Sequence, residues 1–154
     1  MNIPFLDLIK AILSLNFLRY FLAALPAFLI FYIWKKKAWE GRKIQSKFPK
    51  SQDYYREIGY SMITLAIFTL VGLVIIGTPL RQYNLVYEDI ATYGWGYWSL
   101  SIVLMIFLHD SYFYWVHRLM HQPKLFKYFH LIHHKSTNPS PWAAYAFHPF
   151  EAVI

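Results

Sequence analysis

The chain has 154 residues, of which 57% are hydrophobic and only 15% are charged; soluble domains average roughly 25% charged residues, so the composition indicates one membrane domain. The net charge of +7 does not indicate a nucleic-acid partner, because the positive residues follow hydrophobic segments and no nucleic-acid-binding module is recognisable. The absence of cysteine excludes disulfides and thiolate ligands, so any metal must be held by nitrogen and oxygen atoms.

Three apolar segments are long enough to cross a bilayer, which takes about 20 residues in a helix. The first covers residues 11–34 and is followed directly by three lysines, so we predict an uncleaved span. The second, residues 59–80, contains no charge, and the third, residues 97–116, becomes polar in its last part. No regular strand alternation is present. We therefore predict an all-α integral membrane protein, with a single membrane domain over residues 1–154.

The polar connection over residues 35–57 carries eight Lys or Arg residues and three acidic residues. The positive-inside rule places such a connection in the cytoplasm. The third span then returns to the cytoplasmic face, and the histidine-rich region, residues 109–148, follows there on short helices. We expect the membrane to be a bacterial inner membrane or the endoplasmic reticulum.

Six of the seven histidines lie within residues 109–134. His117 and His121 are four residues apart, which places both imidazoles on one face of a helix. The following Gln122–Pro123 pair predicts a helix end and a sharp turn. A second short helix would then carry three more histidines on one face, at spacings of three and four. These are His130, His133 and His134.

Five imidazoles in two such groups predict a metal site. Protonated rings would repel one another, and neutral rings would each need a separate hydrogen-bond partner, whereas neutral imidazole is the commonest protein metal ligand. All-nitrogen sites suit Fe, Zn, Cu or Ni. Five imidazoles exceed the needs of one tetrahedral zinc, which favours two metals or a higher coordination number.

The neighbouring residues narrow the chemistry. A zinc hydrolase of the HExxH type needs a carboxylate beside its first ligand, but Arg118 occupies that position. A metal transporter should have its ligands in mid-membrane, whereas these lie just beyond a span. With hydrolysis and transport disfavoured, the remaining interpretation is a metal centre at the membrane face that oxidises a lipid.

Two further groups of residues are candidates for a supporting role. Asp110 and Tyr114 lie on the same helical stripe as His117, and they either orient metal ligands or form a polar helix-packing pair. His109 lies on the neighbouring stripe, where a supporting or structural role is expected rather than metal ligation.

The sequence of residues 109–121, HDSYFYWVHRLMH, followed by HLIHH and then NPSPWAAYAFHPFEA, resembles the fatty acid hydroxylase/sterol desaturase superfamily, and within it the sterol desaturase branch. The resemblance implies a non-haem centre of two iron ions that uses O2 and electrons from NAD(P)H, delivered by a cytochrome- or ferredoxin-type carrier. The substrate would be a lipid from the bilayer, hydroxylated or desaturated at a C–H position. Carried over by position, the iron ligands would be His117, His121, His130, His133 and His134, and His148 would be a further candidate ligand or supporting residue.

The family pattern also includes a third box, H-x2-H-H, which these 154 residues lack. We therefore expect an N-terminal fragment of a longer enzyme that is inactive alone. Two other functions stay open: a membrane zinc or mixed-metal protein, acting as a hydrolase or a metal-storage module, and a membrane scaffold with a relic metal site. The sequence does not distinguish hydroxylation from desaturation, or sterol from fatty acyl substrates.

Overall fold

The computed structural model describes residues 4–45, 47–87 and 89–154, and these residues form helices without any β-strand. The long helices are α1 (Phe5–Phe28), which continues as a π-helix over Leu29–Trp34, α3 (Ser51–Gly77) and α4 (Gly94–Met120). The short helices are α2 (Lys36–Glu40), α5 (Pro123–Phe129), α6 (Leu131–His134) and α7 (Pro149–Val153), and 3₁₀ turns cover Pro79–Tyr83, Ile90–Thr92 and Pro141–Tyr145.

Three helical segments are long and apolar enough to cross a membrane: Phe5–Trp34, Ser51–Gly77 and Gly94–Met120. They overlap the three predicted spans and confirm the all-α membrane fold class. Each segment is longer than predicted, and the largest error is at the second span, which begins at Ser51 rather than at residue 59. The Asp53 carboxylate accepts a hydrogen bond from the backbone N–H of Lys50 at 3.0 Å, which caps the helix start. Residues 51–57 are therefore helical, not part of the polar connection.

Helices α1 and α3 pack against each other, and the 3₁₀ turn Pro141–Tyr145 packs against both. The buried centre of this arrangement contains Tyr20 and Ala24 from α1, Leu65 from α3 and Trp142 from the turn. The Tyr20 ring lies 5.7 Å from the Tyr145 ring and stacks with it. Apolar burial therefore brings a segment from the end of the chain onto the first two spans.

A buried polar network fixes this returning segment. The hydroxyls of Tyr20 and Ser61 both donate to the carbonyl of Trp142 at 2.9 Å. Glu57 is fully buried, and the Ser140 hydroxyl donates to one of its carboxylate oxygens. The same Ser140 hydroxyl accepts from the backbone N–H of Trp142 at 3.2 Å, which caps the turn. These bonds satisfy groups whose burial without partners would be costly.

Helix α4 contributes little to that core. Within the described ranges it packs only against α5 and the 3₁₀ turn Ile90–Thr92, and most of its apolar side chains are exposed. The Tyr112 hydroxyl donates to the backbone carbonyl of Ile154 at 2.8 Å, just beyond α7. Helix α7 in turn packs against α3 and α5. The short helices therefore connect the histidine-bearing end of α4 to the α1–α3 pair.

We expect Ser140→Ala to destabilise the fold by about 1–3 kcal/mol, because it leaves the buried Glu57 carboxylate without its hydroxyl donor. Tyr20→Phe should cost less, since the Trp142 carbonyl keeps its bond from Ser61. Thermal unfolding in detergent measures both changes, with Ser14→Ala on the exposed side of α1 as the control. Equal midpoints for Ser140→Ala and the control would contradict the role assigned to this network.

Candidate metal centre

The end of α4 brings His117 and His121 together. Their Nε2 atoms lie 3.1 Å apart, one helical turn from each other, as the spacing predicts. The helix ends at Met120, and Gln122 adopts an extended backbone with ψ of 139° because Pro123 follows it. Pro123 is the first residue of α5, so the predicted sharp turn is present.

The second histidine group lies at a break between two helices. We predicted one helix through His130, His133 and His134, but α5 ends at Phe129 and α6 begins at Leu131. His130 sits at the break, with φ of −124° and ψ of −14°, and is fully buried. The backbone therefore differs from the predicted continuous helix, but the three rings still lie close together.

The rings of the two groups form one cluster with His130 at its centre. Ring centroids lie 4.4 Å from His130 for His117 and 4.8 Å for His121. They lie 5.2 Å away for His133 and 4.7 Å for His134. We call these five rings the imidazole cluster. Within it, ligand atoms of His117, His121 and His130 all lie within 4.8 Å of one another.

Two buried ring nitrogens of the cluster have no hydrogen-bond partner among the described residues: Nε2 of His130 and Nδ1 of His117. Burial, and then the charges of the neighbouring imidazoles, lower the pKa of His130 to about 3. Burial lowers the pKa of His133 as well. The lowered pKa values favour the neutral form of both rings, which keeps a lone pair. Neutral imidazoles with a buried unpaired nitrogen are a donor set that fits a metal ion.

Glu151 belongs to the site, although sequence reasoning missed it. One of its carboxylate oxygens, Oε1, lies 2.8 Å from His130 Nδ1, while Oε2 accepts from the backbone N–H of His148 at 3.4 Å. Burial raises the pKa of Glu151 to about 7, and the His148 N–H partly offsets that rise. The sequence signal was available: a glutamate three residues after a helix cap is typical of a capping box.

Among the described residues, the other candidates form no hydrogen bond with a ring of the imidazole cluster. The His148 ring caps α7, because its Nδ1 accepts from the backbone N–H of Phe150 at 3.2 Å. Asp110 pairs with the exposed His109 at 3.4 Å instead of reaching Tyr114. Tyr114 accepts from Arg118 at 3.0 Å. Supporting or ligating roles for His109, Asp110, Tyr114 and His148 stay predictions.

A mainly apolar cavity of about 430 Å³ opens beside the cluster. This volume lies within the range of roughly 300–1,000 Å³ that is typical of small-molecule sites. Phe113 packs against the His117 ring at 5.5 Å, and Phe147 packs against the His133 ring at 5.6 Å. Three alanines complete much of the apolar wall, namely Ala143, Ala144 and Ala146. An apolar ligand in this cavity would therefore lie against two rings of the cluster.

The fold and the site together define an integral membrane protein whose imidazole cluster lies at the end of a spanning helix and borders an apolar cavity. Residues 102–154 match the family model described as fatty acid hydroxylase. This match and the curated relatives below support the fatty acid hydroxylase/sterol desaturase superfamily for this chain, and within it the sterol desaturase branch.

Three curated relatives support that assignment. A delta(7)-sterol 5(6)-desaturase of Gibberella zeae is 38% identical over 99 residues, which cover 64% of this chain and 31% of the relative. Lathosterol oxidase of Rattus norvegicus is 32% identical over 101 residues, which cover 64% of this chain and 34% of the relative. A delta(7)-sterol 5(6)-desaturase of Aspergillus fumigatus is 30% identical over 148 residues, which cover 96% of this chain and 40% of the relative. The chain thus spans about a third of the length of these relatives. No solved structure matches it.

Because His130 contacts the other four rings, we expect His130→Ala to weaken metal binding most clearly. Loss of a supporting residue alone costs about 10- to 100-fold in affinity, so loss of this ring should cost at least as much. Titration of the purified protein with Co²⁺, followed by its visible absorption, measures the change. His109→Ala is the matched control, because that ring is exposed and pairs with Asp110. Equal affinities for the two variants would contradict a metal site centred on His130.

Proposed function

We propose that this protein is a membrane-bound, non-haem di-iron oxidoreductase that uses O2 to hydroxylate or desaturate a C–H position of a lipid during lipid biosynthesis. The observation that carries the proposal is the imidazole cluster, which lies at the end of a spanning helix and directly borders an apolar cavity. The related sterol desaturases and lathosterol oxidase favour a sterol as the substrate.

The residues that would hold the irons are the five of the imidazole cluster: His117, His121, His130, His133 and His134. Bound iron would supply the reduction of O2 and the oxidation of the C–H bond. Hydroxylation combines one C–H bond, one O2, two electrons and two protons into a C–OH group and one water. Desaturation uses the same O2, electrons and protons to convert two neighbouring C–H bonds into a double bond and two waters.

The chain's own contribution is to position the lipid and to keep water away from it. Phe113 and Phe147 would place an aliphatic carbon against the rings of His117 and His133. Burial lowers the pKa of His130, which favours the neutral ring, and a neutral imidazole keeps one nitrogen lone pair that can bind a metal. The apolar walls exclude water and favour a hydrocarbon.

The proposed orientation places the cluster at the cytoplasmic face. Eight Lys or Arg residues within 35–57 support this side under the positive-inside rule. Lys43 lies over the Phe48 ring at 3.6 Å, and Lys35 lies over the Trp34 ring at 4.5 Å, contacts suited to a membrane interface. Electrons from NAD(P)H would reach the centre on that side through a cytochrome- or ferredoxin-type carrier.

A zinc protein is the second candidate, because three neighbouring imidazoles can bind a single catalytic zinc. The close grouping of His117, His121 and His130 favours it, whereas the adjacent rings of His133 and His134 favour a larger centre. Metal analysis of protein purified from iron-replete cells separates the two. Stoichiometric zinc with activity that does not need O2 would support the zinc protein.

We expect His133→Ala to lower iron content and to abolish O2-dependent oxidation of a membrane sterol, because this ring belongs to the cluster and borders the cavity. Iron per protein and mass-spectrometric analysis of the sterols measure the two effects. Lys124→Ala, an exposed change in α5, is the control. Unchanged iron content and unchanged sterol oxidation in His133→Ala would defeat the di-iron proposal.

Filling the cavity should separate lipid binding from metal binding. We expect Ala144→Phe to reduce lipid oxidation at least about 10-fold while iron content stays unchanged, because the added ring occupies cavity volume without touching a ligand nitrogen. Ala91→Phe places the same ring on an exposed turn and serves as the control. Full activity of Ala144→Phe would show that the lipid binds elsewhere.

A further inference from the structure

We infer that Glu151 is a positioning residue of the metal centre: its carboxylate holds the His130 ring in the tautomer with the proton on Nδ1 and directs the Nε2 lone pair into the imidazole cluster. The role in metal binding rests on the proposed function, whereas the tautomer is argued from the geometry of the pair and from the buried Nε2 atom.

The contact between the two side chains is short and shielded from water. His130 Nδ1 lies 2.8 Å from Glu151 Oε1, and the two side chains are 0% and 8% exposed. The described residues contain a second pair of this kind, His109 with Asp110, but it is 3.4 Å long and its side chains are 75% and 77% exposed. Exposed pairs of charged groups contribute little, because water and salt screen them. Only the buried pair is suited to fix the orientation of a ring.

The backbone around each partner restricts their relative movement. Glu151 is the third residue of α7, and its second oxygen accepts from the backbone N–H of His148. Pro149 starts that helix with a fixed φ, and α7 packs against both α3 and α5. His130 directly follows α5. The carboxylate is therefore held at both oxygens, beside a ring held by the neighbouring helix.

The position of a single proton decides whether His130 can bind a metal. A neutral imidazole has one N–H and one lone pair. With the proton on Nδ1, the ring donates to the Glu151 carboxylate and Nε2 keeps its lone pair. With the proton on Nε2, Nδ1 would have to accept from a protonated Glu151, and the cluster would face an N–H group.

The environment of Nε2 favours the first arrangement. Nε2 of His130 is buried and has no hydrogen-bond partner in the described part of the chain. An N–H group at this position would be a buried donor without an acceptor, which is costly. A lone pair at the same position is available to a cation. Metal-binding histidines commonly donate their second nitrogen to a carboxylate in this way, which raises their basicity.

The first test needs no metal. Nitrogen-15 NMR of the histidine-labelled, metal-free protein in detergent micelles reports which nitrogen of each ring carries the proton, and the His130 signals are those that His130→Ala removes. We expect Nδ1 of His130 to be protonated and Nε2 to be unprotonated. The opposite assignment would overturn the inference, even if every Glu151 variant failed to fold.

The second test uses Glu151→Gln, which keeps the side-chain volume but has a carboxamide that can either donate or accept. We expect a mixture of the two His130 tautomers and a loss of Co²⁺ affinity of about 10- to 100-fold. Glu40→Gln, at an exposed carboxylate in α2, should leave both readouts unchanged. If Glu151→Gln keeps the Nδ1–H tautomer and the wild-type affinity, Glu151 has no positioning role.

The two tests separate this inference from the proposed function. A wild-type protein that binds no Co²⁺ would count against the metal centre, and the tautomer measurement would still decide whether Glu151 orients His130. A wild-type protein that binds Co²⁺, together with an unaffected Glu151→Gln variant, would leave the metal centre in place and remove Glu151 from it.

Discussion

The structure depends on two hydroxyl groups that donate to one backbone carbonyl. Tyr20 from α1 and Ser61 from α3 both bond to the carbonyl of Trp142, while Glu57 accepts from Ser140 two residues earlier. These bonds form where a polar backbone segment returns to apolar spanning helices, so an unpaired carbonyl there would cost several kcal/mol, by an order-of-magnitude estimate. Helix α4 does not pack on α1 or α3 in the described residues. The returning segment therefore connects the first two spans to the part of the chain that carries the histidines.

This connection also shapes the site. The segment that carries Trp142 supplies the alanines of the cavity wall, and α7, which follows it, supplies Glu151. The histidines of the cluster come from a different stretch, at the end of α4 and around α5 and α6. One face of the cavity is thus made of imidazoles and the other of a loop anchored to the membrane helices. Displacement of that loop would change cavity shape and His130 orientation together.

Local physical rules predicted much of the fold and of the site. Apolar length and charge located the three spans, the four-residue spacing brought His117 beside His121, and Pro123 ended one helix and began the next. Each of these features depends on residues close together in sequence. The start of α3 at Ser51 is also determined locally, because the Asp53 carboxylate accepts from the backbone N–H of Lys50 three residues earlier.

The features that escaped prediction depend on distant partners. The sequence suggests that Glu57 is a solvent-exposed charge, but the side chain is buried against Ser140, 83 residues later. Glu151 pairs with His130 across 21 residues. The spacing of His130, His133 and His134 suits a continuous helix. The backbone instead breaks at His130, directly after the end of α5. Sequence patterns describe one face of one helix at a time, so contacts between elements are invisible to them.

The sparse packing of α4 has a mechanical consequence. A 27-residue helix is about 40 Å long, at a rise of 1.5 Å per residue. Among the described residues, α4 packs only against the 3₁₀ turn Ile90–Thr92 and α5, which lie near its two ends. A spanning helix that is longer than the hydrocarbon core accommodates the difference partly by tilting. His117 lies in the last turn of α4, directly against His130. A change in the tilt of α4 would therefore change the distance between the His117 ring and the second histidine group.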